Sequence, residues 1–259
     1  MTKRNFMLFI VTLIVQLIYI CVTETFDLPN GLLSFFFVFD GPNATYITIY
    51  ALALVLYATE FDYTLINNHF EDLAMIRKGY GYLWCQIRRV VSKATIFAIF
   101  MMIMELLLIH HFKQSLFPLN RSIDLEFQQL LAFSSDPLTN HITYALLRLF
   151  GSIVIAIFFL SLSRYIKHRY LYMGCVPAII IGSICVLGVL GPAVAQTLEN
   201  VGLLPEILST LLIGNVFSAG FFQMRTPRLV AAIGSILFYG CATIFSFIIS
   251  TRLKKKGVL

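Results

Sequence analysis

Apolar residues run along this chain in long stretches broken by short polar connections. Six stand out: Phe6–Val22, Thr45–Leu65, Ala94–His110, Ile142–Ser163, Leu171–Gly191 and Leu229–Ile249. A membrane-crossing helix needs about 20 mostly apolar residues, within a range of about 17–25. Backbone in lipid must also satisfy its own N–H and C=O groups, which helices do within one segment. The pattern therefore predicts an all-α, polytopic membrane protein with six transmembrane helices in a single domain over residues 1–259. A membrane β-barrel would instead alternate over segments of about ten residues, and the unbroken runs speak against it.

Two apolar stretches do not fit a plain span. In Pro192–Thr226, Pro205 suits a helix first turn. Leu204, Ile207, Leu208, Leu211 and Leu212 then keep helical spacing. Gly214-Asn215 interrupts this pattern, and Val216–Phe222 is a second short apolar piece. Neither piece crosses a core of about 30 Å at about 1.5 Å per residue. An outer re-entrant hairpin between the fifth and sixth helices is predicted, rather than a seventh span. The run Gly31–Phe39 is also too short to cross, and Pro29-Asn30-Gly31 and Asp40-Gly41-Pro42 bracket it as turns.

Charge fixes the expected orientation. Fourteen of the 19 Lys and Arg residues fall on one side: Lys3 and Arg4; Arg77, Lys78, Arg88, Arg89 and Lys93; Arg164, Lys167 and Arg169; and Arg252 with Lys254, Lys255 and Lys256. The positive-inside rule then puts both termini in the cytoplasm. A seventh span at Leu204–Phe222 would expel the basic tail against this rule. The N-terminal apolar run exceeds a typical signal-peptide core and no small-x-small cleavage site follows, so an uncleaved first span is expected. The chain is 59% hydrophobic and only 12% charged, with a mean hydropathy of +0.85. Its net charge of +6 sits in the short connections, which is topology rather than a nucleic-acid surface. Five scattered cysteines, with no C-x-x-C pair, read as small apolar packing residues.

Charged residues within spans are expensive, and they mark an internal pair or a functional site. Glu105 and Arg148 lie in the third and fourth predicted spans, at depths of about 18 and 24 Å from the cytoplasmic ends. They are expected to pair, either structurally or along a substrate path. Glu60 and Asp62 stand near the inner end of the second span, where a basic partner among Arg77, Arg88 and Arg89 would cap them, with a proton or ion pathway as the second reading. His110 and His111 are adjacent and point apart on a helix, which disfavours a metal site. In the fifth span Gly174, Ala178 and Gly182 recur every four residues, a spacing that permits close helix approach within the subunit or against a second copy.

The longest cytoplasmic connection, Asn67–Val91, carries its own helical signal. Phe70, Leu73 and Ala74 share a face, with Glu71 and Asp72 near its start and Arg77 and Lys78 near its end, as the helix dipole favours. Gly79-Tyr80-Gly81 is expected to break it before Trp84 re-enters the interface. The element is either an interfacial helix on lipid headgroups or a docking helix.

With six spans and a broken outer hairpin, the stretch Phe70-Glu-Asp-Leu-Ala-Met-Ile-Arg-Lys-Gly-Tyr-Gly-Tyr-Leu-Trp84, then Arg88-Arg89, resembles the permease subunits of the second ABC exporter superfamily. It is most similar to small Gram-positive permeases of bacteriocin, lantibiotic and cytolytic-peptide export or immunity systems. The residue-level likeness covers Phe70–Lys93. Many members also carry an amphipathic helix before the first span, whereas Met1–Asn5 alone precede it here. The resemblance implies a coupling helix in which Phe70, Glu71, Asp72, Leu73, Ile76, Arg77 and Lys78 meet a separate ABC ATP-binding subunit. It further implies a second permease copy or a related permease, membrane lipid as surroundings, and residence in a bacterial cell membrane. The chain lacks a G-x-x-x-x-G-K-[ST] loop, so ATP and magnesium are expected in the partner and no cofactor or enzymatic activity in this chain. The alternatives are a non-transporting immunity or sensor protein and, less well matched, an intramembrane protease.

Overall fold

The computed structural model describes residues 3–22, 44–67, 80–112, 133–134, 136–166, 168, 170–183, 212–220 and 227–255. Among these residues the secondary structure is entirely helical. The helices are α1 (Lys3–Val22), α2 (Ala44–Asn67), α3 (Tyr80–Phe112), α4 (Pro137–Leu162), α5 (Tyr170–Ser183), α6 (Ile213–Phe217) and α7 (Arg228–Lys255). Four of them, α2, α3, α4 and α7, are long and apolar enough to cross a membrane. The apolar parts of α1 and α5, Phe6–Val22 and Tyr170–Ser183, are shorter. At about 1.5 Å per residue the latter extends only some 21 Å, and residues 184–191 of the expected fifth span lie outside the described set.

Helical periodicity explains how these elements pack. In α4, Asn140, Tyr144, Arg148, Ser152, Ile155 and Phe159 follow three- and four-residue steps and are all buried. In α3, Val90, Ala94, Phe97, Met101, Glu105 and Ile109 do the same. The intervening positions, such as Ile103, Leu107, Ile142 and Leu146, are large, apolar and exposed. Apolar residues outside and several polar residues inside is the arrangement expected where lipid, not water, is the solvent. α4 is the hub, packing against α2, α3, α6 and α7.

Two helix starts depart from the sequence reading. α3 begins at Tyr80, not Ala94, so Tyr80 and Gly81 open the helix instead of breaking one. Nothing crowds the Gly81 Cα, and tertiary support from Gln86 and Arg89 onward carries the helix back toward its start. α4 begins at Pro137 because Asp136 caps it: the carboxylate accepts hydrogen bonds from the Thr139 N–H at 2.9 Å and from the Thr139 hydroxyl. Proline one residue inside the helix gives up no needed donor.

The apolar segment before α7 departs from its sequence reading at Gly214-Asn215. Gly214 and Asn215 lie inside α6, which is fully buried. A turn follows at Ser218–Gly220. There the Gly220 N–H closes onto the Asn215 carbonyl at 2.8 Å, and the Ser218 N–H onto the Gly214 carbonyl at 2.9 Å. Ala219 and Gly220 adopt φ of 47° and 85°, the left-handed ending typical of helix C-termini. α6 nests on α4 at Gly151, where an added Cβ would meet the Val216 carbonyl oxygen at 2.2 Å. The four described cysteines also differ from expectation. Cys21, Cys85 and Cys241 face outward and Cys175 is half-buried, so they line the bundle's rim and not its packed interior.

Gly151→Ala is expected to lower stability by about 1–3 kcal/mol through overpacking against α6, read as a lower unfolding midpoint in detergent. At the α4 start, hydrogen bonds from Thr139 hold the Asp136 carboxyl below the usual carboxylate value. Its stabilising contribution is therefore present above the unfolded pKa and lost as pH falls through the lower folded value. Asp136→Ala should lower the midpoint at pH 7, with the gap to the parent narrowing below about pH 4.

Candidate functional site

The polar interior concentrates where α1, α2, α3 and α4 meet. Arg148 Nη1 lies 2.7 Å from Glu105 Oε2, with both side chains at 0% exposure. Gln16 of α1 completes the grouping: its Nε2 donates to Glu105 Oε2 at 3.1 Å and to the Met101 carbonyl at 3.3 Å. From α2, the Tyr50 ring lies 5.4 Å from the Arg148 guanidinium, and its hydroxyl is 3.2 Å from Ser152 Oγ. The phenols of Tyr46 and Tyr144 complete the electrostatic surroundings of Arg148. Tyr50 also packs edge-on against Phe217 of α6 at 5.8 Å, linking α6 to the centre.

Each residue reaches this point through helical spacing. Gln16 shares a buried face with Phe9, Thr12 and Ile20. Tyr46 and Tyr50 are one turn apart, as are Tyr144, Arg148 and Ser152. In a medium of low dielectric the guanidinium and carboxylate are each tolerable only as a pair with further hydrogen bonds. Glu105 Oε1 and Gln16 Oε1 are buried and accept no hydrogen bond from the described residues. The centre thus offers two adjacent acceptor groups beside a fixed cation, which suits a polar or charged donor within an apolar bundle.

Comparison with protein-family models, curated proteins and solved structures finds no match.

A second polar layer lies at the end of the bundle that carries Arg88, Arg89, Lys93 and Arg164. Asp62, fully buried on α2, accepts from Arg89 Nη1 of α3 at 2.8 Å, while the Arg89 side chain stays 33% exposed. Glu60 is half-buried on the same turn. Arg164 Nη2 donates to Gln86 Oε1 at 3.2 Å and its guanidinium stacks over Phe247 of α7 at 5.1 Å. Tyr172 of α5 stacks on Tyr63 at 4.7 Å and shares a 2.7 Å hydrogen bond with Thr59. At this layer α2, α3, α4, α5 and α7 are all tied together.

At the opposite end Arg228 is buried at the start of α7. Its Nε and Nη2 donate to the Ala219 and Ser218 carbonyls at 3.0 and 2.9 Å, and Phe133 lies 4.9 Å beneath it. Residues Phe70, Glu71, Asp72, Leu73, Ile76, Arg77 and Lys78 lie outside the described residues. Gln16, Gln86, Tyr46, Tyr50, Tyr144, Ser152 and Arg228 were not foreseen as site residues. The available signal was the placement of Gln16, Gln86 and Ser152 at buried positions of otherwise apolar helices.

Removing one member of the central pair strands the other in the bundle, so Glu105→Leu or Arg148→Met alone should destabilise by about 3–5 kcal/mol. The double variant Glu105→Leu/Arg148→Met should recover most of that loss. Unfolding midpoints of the four proteins in one detergent would measure the coupling, and additive losses would count against the pair as a unit.

Proposed function

We propose that this chain is the transmembrane subunit of an ATP-driven exporter, akin to permeases of the second ABC exporter superfamily. In this reading it sits in a bacterial cell membrane with six spans and cytoplasmic termini. Its outer segment between the last two spans forms a re-entrant hairpin. A separate ATP-binding subunit carries ATP and magnesium and drives the cycle, and a second permease, identical or related, completes the pathway. The substrate is an amphipathic peptide or a lipid-like molecule, in the setting of antimicrobial-peptide export or self-immunity.

One observation carries most weight. α3 runs unbroken for 33 residues, about 50 Å at 1.5 Å per residue and well beyond the roughly 30 Å apolar core. Its first turns adjoin the connection at residues 68–79, and its far half carries Glu105. A rigid helix of this length transmits a displacement at the cytoplasmic connection directly to the buried Glu105–Arg148 centre. The Asp62–Arg89 and Gln86–Arg164 contacts lie along it, so α2 and α4 would be drawn into the same movement. An ATPase gripping Phe70–Lys78 would thus act on the bundle interior without supplying any group to it.

Affinity purification of the tagged chain in mild detergent should bring down an ATP-binding-cassette protein with ATPase activity. Leu73→Asp and Ile76→Asp should remove that partner while the chain itself still purifies as a folded, monodisperse protein with an unchanged unfolding midpoint. If the chain purifies alone and confers its phenotype in cells lacking any such ATPase, the exporter reading fails and a non-transporting immunity or sensor role replaces it.

A further inference from the structure

α3 has a second organised face that the central site does not use. Trp84, Arg88, Ser92, Ile96, Ile99 and Ile103 follow steps of three and four residues, and all six are exposed. With 3.6 residues per turn they form one stripe along the helix. Its chemistry changes in order: an indole at 64% exposure, a guanidinium, a hydroxyl, then aliphatic side chains with Ile96 at 55% and Ile103 at 51%. Beside the polar part, Arg89 and Lys93 converge on the Phe61 ring of α2 at 4.8 and 5.7 Å. Phe61 is itself 51% exposed, so this aromatic edge borders the stripe between two helices. Asp62 pairs with Arg89, and Arg88 with Lys93 outweighs the one further carboxylate on that α2 turn, Glu60.

We propose that this face binds one anionic phospholipid, with its phosphate between Arg88, Ser92 and Lys93 and an acyl chain along Ile96, Ile99 and Ile103. The dimensions agree with this occupant. Ile96 to Ile103 covers about 10 Å of helix axis, shorter than one leaflet's share of about 15 Å in a core about 30 Å thick, and it starts about 12 Å from Arg88. Guanidinium, hydroxyl and ammonium groups are the donors a phosphodiester accepts from, and a tryptophan beside them belongs at headgroup level. A soluble anion would gain nothing from the isoleucine lane, and an uncharged lipid nothing from the two cations. The lipid would bridge α2 and α3 at the level where Asp62 and Arg89 already join them. The inference does not depend on the exporter reading, because it requires only a bilayer.

Trp84 is the single tryptophan of the chain and sits at the head of the stripe, so it reports the site directly. The full chain is reconstituted in phosphatidylcholine nanodiscs doped with brominated phosphatidylglycerol or, in parallel, equally brominated phosphatidylcholine. The brominated phosphatidylglycerol should quench Trp84 several-fold more effectively than the brominated phosphatidylcholine. Arg88→Gln or Lys93→Gln should each reduce that preference by roughly fivefold, the share of about one surface cation. Arg252→Gln, at an exposed position on α7, should leave it unchanged. Equal quenching by the two lipids in the parent protein would overturn the proposal. So would an equal loss in Arg252→Gln, which would mark diffuse surface attraction, or abolition of the preference by added inorganic phosphate.

Discussion

A carboxylate and a guanidinium held 2.7 Å apart inside an apolar bundle constrain the register of every helix around them. Neither charge is tolerable alone at that depth, so α3 and α4 cannot slide or rotate independently without exposing one of them to hydrocarbon. Gln16 extends the constraint to α1, and Tyr50 and Ser152 extend it to α2. Apolar packing by itself would not fix this, because aliphatic faces in lipid have little preference between one another and the acyl chains. The pair supplies the directional information that the hydrophobic runs lack.

The rest of the bundle is arranged in layers about this centre. On one side Asp62–Arg89, Gln86–Arg164 and the Tyr63–Tyr172 stack join five helices. On the other, Arg228 holds the carbonyls that end the short buried helix α6, and Gly151 lets that helix sit directly on α4. α4 passes through all three layers, which explains why it presents Asn140, Tyr144, Arg148, Ser152 and Phe159 along one buried face. α3 joins the central layer to the basic end without a break. A disturbance at one layer therefore has a stiff route to another.

Much of this was legible in the residues. Long apolar runs of sufficient length dictate helices in lipid, and four of them appear as helices able to cross a membrane. Glu105 and Arg148 stood out as charges within such runs. Other features were hidden for definable reasons. The N-terminal extension of α3 was obscured because Gly81 and nearby basic residues look like a connection, whereas contacts to α2 and α4 sustain a helix there. That Gly214-Asn215 lies inside α6, with a turn at Ser218–Gly220 after it, was also hidden, since local propensity does not reveal which glycine a neighbouring helix will press upon.

The sequence by itself determined the helical character, the basic bias of one end and the presence of charges that demand burial together. These follow from hydropathy and Coulomb energy, which need no partner to be specified. Only the tertiary structure decided that Gln16 meets Glu105, that Arg89 rather than its neighbour Arg88 takes Asp62, and that Arg228 turns inward to carbonyl groups. Each of those choices depends on helix rotation and close approach, which are set by the packing of several helices at once and by no single stretch of chain.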